Sequence, residues 1–333
     1  MKNKKIIVAL TIIFAIIIGS FVQEKFLVRE QTKETQKLSI GVLQFVSHPA
    51  LDEIYRGFTE ELEKEGYQDK KNISIQYQNG QADQSKLVSM SQQLLQQKPD
   101  VLVGIATPAA QALANQTKEV PIVLGAVSDP KGAGLVKDNK RPGGNITGVS
   151  DSAPIDKQLA LALELIPDAK TVGVLYSSSE ANSKTQVEQA KREAKKLNLE
   201  IKPYAVPSSN EINQTVHALA KEVDFLLIPN DNTIANAMQT VVSVANQYKL
   251  PIVPPVATMV EQGGLATVGV NQYQLGVQTA KMAINIMEHK KEPANYPIYH
   301  FTDGDIVINK KQADLLNIKI PEHLQKYQLK EKG

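Results

Sequence analysis

KTVGVLYS, residues 170–177, restarts a pattern that LSIGVLQF began at 38–45. Both are continuous apolar runs of the kind buried on both faces of a parallel sheet. Outward from the first, ALDEIYRGFTEELEKEG (50–66) predicts a helix. Leu51, Ile54, Tyr55, Phe58 and Leu62 share one face, and Gly66 ends it. Strands follow at 72–78, 100–106 (DVLVGIA), 121–126 (PIVLGA) and 145–150 (NITGVS), with a helix at 83–97. Outward from the second run, a helix spans 182–197, a strand 199–206 and a helix 208–222. DFLLIPN (224–230) then matches DVLVGIA, each opened by Asp, and PIVPPV (251–256) matches PIVLGA, each opened by Pro. LATVGV (265–270) matches NITGVS. The repeated order predicts an α/β chain of two doubly wound parallel-sheet lobes rather than one large sheet.

A helix at 274–289 and the strand DIVIN (305–309) follow the second lobe, so the chain is expected to cross back. Several crossings make a hinge, with a cleft between the lobes. The expected division is 38–149 plus about 271–300 for lobe 1, and 150–270 plus about 301–330 for lobe 2. The chain of 333 residues is long enough for two domains.

The N-terminus reads as a membrane-directing segment. Lys2, Lys4 and Lys5 precede the apolar run Ile6 to Val22, in which Thr11 and Ser20 are the polar side chains. Residues 1–22 are therefore a signal or membrane anchor, and 23–37 a polar tether. Everything beyond is expected at the outer face of the cytoplasmic membrane, held by the N-terminal segment or released after signal cleavage.

Composition excludes several functions. Residues 1–37 carry seven of the 37 Lys and Arg and three of the 35 Asp and Glu, leaving 30 basic against 32 acidic residues. That is no electrostatic footprint for nucleic acid. The absence of Cys rules out disulfides, a Cys nucleophile, thiolate metal sites and a lipid-modified Cys anchor. The five His (48, 217, 289, 300 and 323) show no metal-ligand spacing. No nucleophile elbow, phosphate loop or dinucleotide fingerprint occurs. No catalytic residue, metal or cofactor is expected, and the chain reads as a non-enzyme.

Ligands of open α/β sheets bind beyond the carboxyl ends of strands, so those positions are the candidates. Phe45 and His48 follow the first strand, and Thr107, Pro108 and Ala109 the third. Thr at an N-cap with Pro next predicts a helix start whose free N–H groups suit a carboxylate. Ser128 and Asp129 follow the fourth strand. In the second half, Tyr176, Asn182 and Ser183 lie in or after the first strand, and Asp231 and Asn232 follow DFLLIPN. Val256 ends PIVPPV. Each polar position alone is also an ordinary turn or cap. Together they offer both signs of partner, as a zwitterion requires.

Several of these stretches carry a resemblance. GVLQFVSHPALDEIYRGF (41–58), IATPAAQALAN (105–115), PIVLGAVSDPKGAGLV (121–136), PGGNITGVSD (142–151), YSSSEANS (176–183) and PNDNTIANAM (229–238) resemble ABC-transporter substrate-binding proteins of the TrpX type. That group is a branch of the type I periplasmic-binding-protein fold, and the resemblance runs from about 38 to 325. It implies an extracytoplasmic receptor, a monomer, that closes on a small solute and delivers it to a membrane permease. It points to an aromatic amino acid, tryptophan first. The carboxylate would meet Thr107 and the N–H groups near Ala109. The ammonium would meet Asp129 or Asp231, with Ser128, Asn182 and Asn232 beside it. The ring would lie between Phe45, Pro108 and the Val256 region. A sensor acting with a membrane kinase, and a sugar or nucleoside receptor, are the alternatives. A sugar-responsive transcription regulator would need a DNA-binding helix pair where the apolar segment stands.

Overall fold

Each apolar run becomes a strand. The computed structural model describes residues 37–301 and 303–330. The apolar segment 1–22 and most of the polar stretch 23–37 lie outside the described residues. Five strands start the first sheet: β1 (Leu38–Gln44), β2 (Ile73–Asn79), β3 (Val101–Ile105), β4 (Ile122–Gly125) and β5 (Ile146–Ser150). Their order is β2-β1-β3-β4-β5, and a late strand, β11 (Tyr299–His300), adds in parallel beyond β5. Helices α1 (Pro49–Lys64), α2 (Gln84–Gln96) and α3 (Thr107–Gln116) connect its strands.

The second sheet repeats that order. β6 (Thr171–Ser177), β7 (Glu200–Val206), β8 (Phe225–Leu227) and β9 (Ile252–Val253) are parallel in the order β7-β6-β8-β9. Its helices are α4 (Ile155–Leu165), α5 (Ala181–Lys196), α6 (Ile212–Leu219), α7 (Asn232–Asn236), α8 (Met238–Gln247) and α9 (Ala257–Glu261). The two strand-opening aspartates do the same job in each sheet. Asp100 Oδ2 accepts from Ser39 N at 2.8 Å, and Asp224 Oδ2 from Lys170 N and Thr171 N at 2.7 and 2.8 Å. Each ties the N-terminal edge of its strand to the neighbouring strand, where the ladder leaves N–H groups without acceptors.

Two expectations are corrected. LATVGV forms β10 (Ala266–Gly269), which pairs antiparallel with β12 (Asp305–Ile308) in a separate two-stranded sheet and does not extend the second parallel sheet. DIVIN enters from the far end because the chain returns after α10 (Gln272–Met287), and α11 (Lys310–Leu316) follows it. The helix expected over 208–222 starts as a 3-10 turn, Ser209–Glu211, with Ser208 accepting from Asn210 N, and is α-helical only over Ile212–Leu219. Helix α4 has no single apolar stripe. Leu159 and Ala162 enter one core cluster and Leu161 and Leu165 another, because it packs between the second sheet and the β10–β12 pair.

The return crossing is fixed by close backbone approach. A Cβ on Gly276 of α10 would lie 1.9 Å from Ile54 O, and one on Gly57 of α1 would lie 2.1 Å from Tyr273 O. Only glycine on both helices allows this contact. Polar bonds flank it: Tyr273 Oη donates to Glu60 Oε2 at 2.8 Å, Arg56 stacks 4.7 Å over the Tyr273 ring, and Lys281 reaches the buried Glu61 at 3.4 Å. The N-termini of α1 and α10 are thereby held together, and both reach the site described next.

Candidate functional site

A small cavity, about 30 Å³, lies at the carboxyl ends of the strands of both sheets. Its two walls differ in chemistry.

The first wall is mainly main chain. It holds His48, Ala50 and Leu51 at the start of α1, Ala106 and Thr107 at the start of α3, and Ala126 and Ser128 after β4. Neither helix start carries a side-chain cap. Their first N–H groups have no helical acceptor, and the helix dipole makes both ends electropositive. Two alanines here occupy backbone space that favours glycine: Ala106 at φ 76, ψ 154 and Ala126 at φ 135. Such conformations cost about 1–3 kcal/mol each and persist where the surroundings impose them. Here β3 and β4 turn sharply out of the sheet at the cavity edge.

Side-chain acceptors dominate the second wall: Asn182, Asn230, Asp231 and Asn232, with Glu180 fully buried beside them. Asp231 caps α7 through Ile234 N at 2.9 Å. Its other oxygen accepts from Ser177 N at 2.6 Å and Ser183 Oγ at 2.7 Å. Glu180 accepts from Asn232 Nδ2 at 2.5 Å, from Thr233 N and Oγ1 at 2.9 Å each, and from Asn182 Nδ2 at 3.2 Å. Burial, and then the Glu180 charge, push the Asp231 carboxyl up to about 7. Asn182 Oδ1 and Asn230 Oδ1 are buried without a donor. Among the described residues no Lys or Arg borders the cavity. The unused polar atoms of this wall are therefore acceptors, set beside the Asp231 and Glu180 carboxyl groups.

Asp151, just after β5, joins the walls. Its Oδ1 accepts from Ser128 Oγ at 2.9 Å and its Oδ2 from Asn230 Nδ2 at 3.0 Å. Burial pushes it up to about 6. Asn230 Nδ2 also donates to Asp151 O at 2.7 Å and to Ser128 Oγ at 3.3 Å. His48 Nε2 lies 3.5 Å from Asn232 Oδ1 across the cavity. Because Asn232 Nδ2 is committed to Glu180, its oxygen faces His48, so Nε2 is the protonated nitrogen. Burial pulls the His48 pKa down to about 4, and the ring is neutral at ordinary pH.

Of the residues expected from sequence, His48, Thr107, Ser128, Asn182, Asp231, Asn232 and Val256 line the cavity. Phe45, Pro108, Ala109, Asp129, Tyr176 and Ser183 do not. Phe45 is a fully buried core side chain, and Tyr176 packs on the cluster of Val172, Val174 and Val187. The N-cap of α3 is Ala106, not Thr107, with Pro108 in the first turn and Ala109 buried behind it. Asp129 folds over its own turn, accepting from Gly132 N at 2.8 Å. Ser183 stands behind the wall, holding Asp231. Asp151, Asn230, Glu180 and Gln272 escaped the sequence reading. The first two sit directly at strand ends, in GVSD and IPND, and strand-end position alone could have found them.

Comparison with known proteins gives the family. The chain is 39% identical over 290 residues to a tyrosine-binding protein of Clostridioides difficile, spanning 87% of this chain and 84% of that protein. It is similar to the crystal structure of an ABC domain in complex with L-Trp from Streptococcus pneumonia, at 50% identity and TM-score 0.86, over 88% of this chain and 99% of the other. It is also similar to the ligand-free, open structure of a substrate-binding protein with adhesive properties from Clostridium difficile. There the identity is 38% and the TM-score 0.68, over 89% of this chain and all of the other. The family model described as ABC transporter substrate binding protein matches residues 39–332, and with it the parallel sheets of type I periplasmic-binding topology and the cavity between their strand ends place this chain in that family.

Proposed function

We propose that this protein captures an aromatic amino acid, tryptophan or tyrosine, outside the cytoplasmic membrane and hands it to a membrane permease. The observation that carries the reading is the difference in sign between the walls. The uncapped starts of α1 and α3 suit an α-carboxylate. The acceptors opposite, Asp151, Asn182 Oδ1 and Asn230 Oδ1, suit an α-ammonium, with the Asp231 carboxyl group behind. Apolar Leu51, Pro255, Val256 and Met259 complete the lining and suit a ring. Burying an aromatic side chain removes ~150–250 Å² from water, about 4–6 kcal/mol of gross driving force. After ordering costs, a micromolar affinity, ~−8 kcal/mol, is reasonable. The L-Trp complex of the Streptococcus protein and the tyrosine-binding relative support the ligand class.

The two sheets are the two lobes of a hinge, and the bonds that link them, His48–Asn232 and Asn230–Ser128 at the cavity and Gln84–Ser179 at the surface, belong to its closed state. The higher TM-score to the tryptophan complex than to the open, ligand-free structure fits a closed form. Among the described residues no helix is long and apolar enough to cross a membrane. Export rests on the segment Ile6 to Val22.

The absence of Trp from the chain supplies the test. Added L-tryptophan is the sole source of indole emission. Its spectrum is expected to move to the blue, become shielded from quenchers and saturate at one ligand per chain, with tyrosine competing and glucose not. Emission identical to free tryptophan at all protein concentrations, together with no thermal stabilisation by any aromatic amino acid, would remove the assignment.

A further inference from the structure

We propose that Glu180 is a positioning residue of this site: by holding the amide hydrogens of Asn182 and Asn232 it fixes which end of each amide is offered to the ligand's ammonium. This rests on the aromatic amino acid reading above. Glu180 does not border the cavity. It is fully buried, and although it stands at the N-cap of α5 its side chain does not cap that helix. The side chain reaches instead to the start of α7. Oε1 accepts from Thr233 N and Oγ1 at 2.9 Å each. Oε2 accepts from Asn232 N at 3.3 Å, Asn232 Nδ2 at 2.5 Å and Asn182 Nδ2 at 3.2 Å. All these donors are uncharged, so dipoles and not an ion pair hold the carboxyl group.

The two asparagines carry the effect, since both line the cavity. Asn182 Nδ2 also donates to Asn230 O at 2.7 Å. A carboxylate oxygen and a carbonyl oxygen only accept, so turning this amide over would set its own oxygen against both. Asn182 Oδ1 is therefore the atom left over, and it is buried without a donor. Such an oxygen is costly until a ligand supplies a hydrogen. Asn232 is held in the same way, with its Oδ1 at 3.5 Å from His48 Nε2. Capping of α7 does not by itself explain Glu180. Asp231 already caps that helix at Ile234 N, and the two bonds to side-chain amides satisfy no backbone group. A carboxamide in place of the carboxyl group would disturb this order. The N–H of Thr233 is fixed in the backbone, so the new side chain would keep its oxygen there and set its NH2 against the asparagines. Their amides would then turn over or stand free, and in either case their oxygens would no longer be held for the ammonium.

Calorimetric titration of the full exported chain with L-tryptophan and with indole-3-propionate, which keeps the ring and the carboxylate but lacks the ammonium, tests this. The parent is expected to prefer tryptophan by about 100-fold or more. In Glu180→Gln, nearly identical in size, that preference should fall by at least about tenfold through weaker tryptophan binding, with indole-3-propionate held within about threefold of the parent. A merely structural role would weaken both ligands alike and leave their ratio unchanged. Glu180→Met, which removes both oxygens and adds no donor, gives the same reading if the Gln variant melts early. A parent-like preference in the variants overturns the assignment and leaves the aromatic site intact. A parent with no preference for tryptophan overturns the reading of the acceptor wall, and the assignment with it. A parent that binds neither compound overturns the reading of the site itself.

Discussion

The two walls of the cavity come from sheets of the same topology, yet they solve opposite problems. The first presents helix starts left bare: α1 and α3 have no side-chain cap. On the second, the starts of α5 and α9 are bare too, but α7 is capped twice over, by Asp231 at Ile234 N and by Glu180 at Asn232 N and Thr233 N. The walls therefore differ in the carboxyl groups that the second adds around α7, not in a general capping of its helix starts. Duplicated topology sets where groups stand, and the residues at the strand ends set their sign. The difference teaches that the first wall should tolerate side-chain change, because its chemistry is in the backbone, and the second should not.

Carboxylate removal should separate a binding role from a folding role most sharply. Asp151→Ala is expected to weaken tryptophan binding by about 100-fold or more in calorimetry, since an ammonium in a dry site loses its partner. Its melting temperature should change little, because Asp151 holds only Ser128 and Asn230. Asp231→Ala should lose both: Ser177 N, Ser183 Oγ and Ile234 N are all left without their acceptor, at about 1–3 kcal/mol for such buried groups, beside weaker binding. Equal stability of the two variants would erase the distinction.

Acidity should act with opposite signs on the free and the liganded protein. Asp231 sits at about 7 in the fold and near 3.9 unfolded, so the folded state holds the extra proton between them. Its contribution to stability is full at low pH and lost as pH rises through about 7. Asp151 behaves alike through about 6. His48 runs the other way: held at about 4 against 6.5 unfolded, it stabilises above 6.5 and loses that as pH falls. At pH 6.5 the unfolded imidazole is half protonated, and above it His48 adds back only about 0.4 kcal/mol, less than the carboxylates lose. From there to pH 8 the ligand-free melting temperature should fall, while the shift produced by tryptophan should grow as the carboxylates ionise. A ligand-free protein that becomes more stable over that interval would contradict the acidic wall.

On the first wall the expected effect is smallest. Ala106→Gly removes a Cβ from φ 76, ψ 154, a conformation glycine adopts freely. Where an ordinary Ala-to-Gly change costs up to about 1 kcal/mol, this one should leave chemical-denaturation stability unchanged or raised, and tryptophan affinity within about twofold. A loss above that would place recognition in side chains on this wall too.

The sequence by itself determined the repeated α/β order. Apolar runs long enough to be buried on both faces, opened by Asp100 and Asp224 or by Pro121 and Pro251, are local signals that survive without a partner. It also located the site at the strand ends, since parallel strands all aim their carboxyl ends one way. It did not separate Asp129 from Asp151. Both are acids just past a strand, and which one reaches the cavity depends on a turn closing on Gly132 and on Asn230 arriving from the other sheet. Helix α4 was hidden because its two faces serve two cores, so no stripe marks it. The antiparallel β10–β12 pair and the place of Gln272 were decided by the return of the chain through α10. That crossing is set by glycines 57 and 276, more than 200 residues apart, whose fit exists only once both helices are packed.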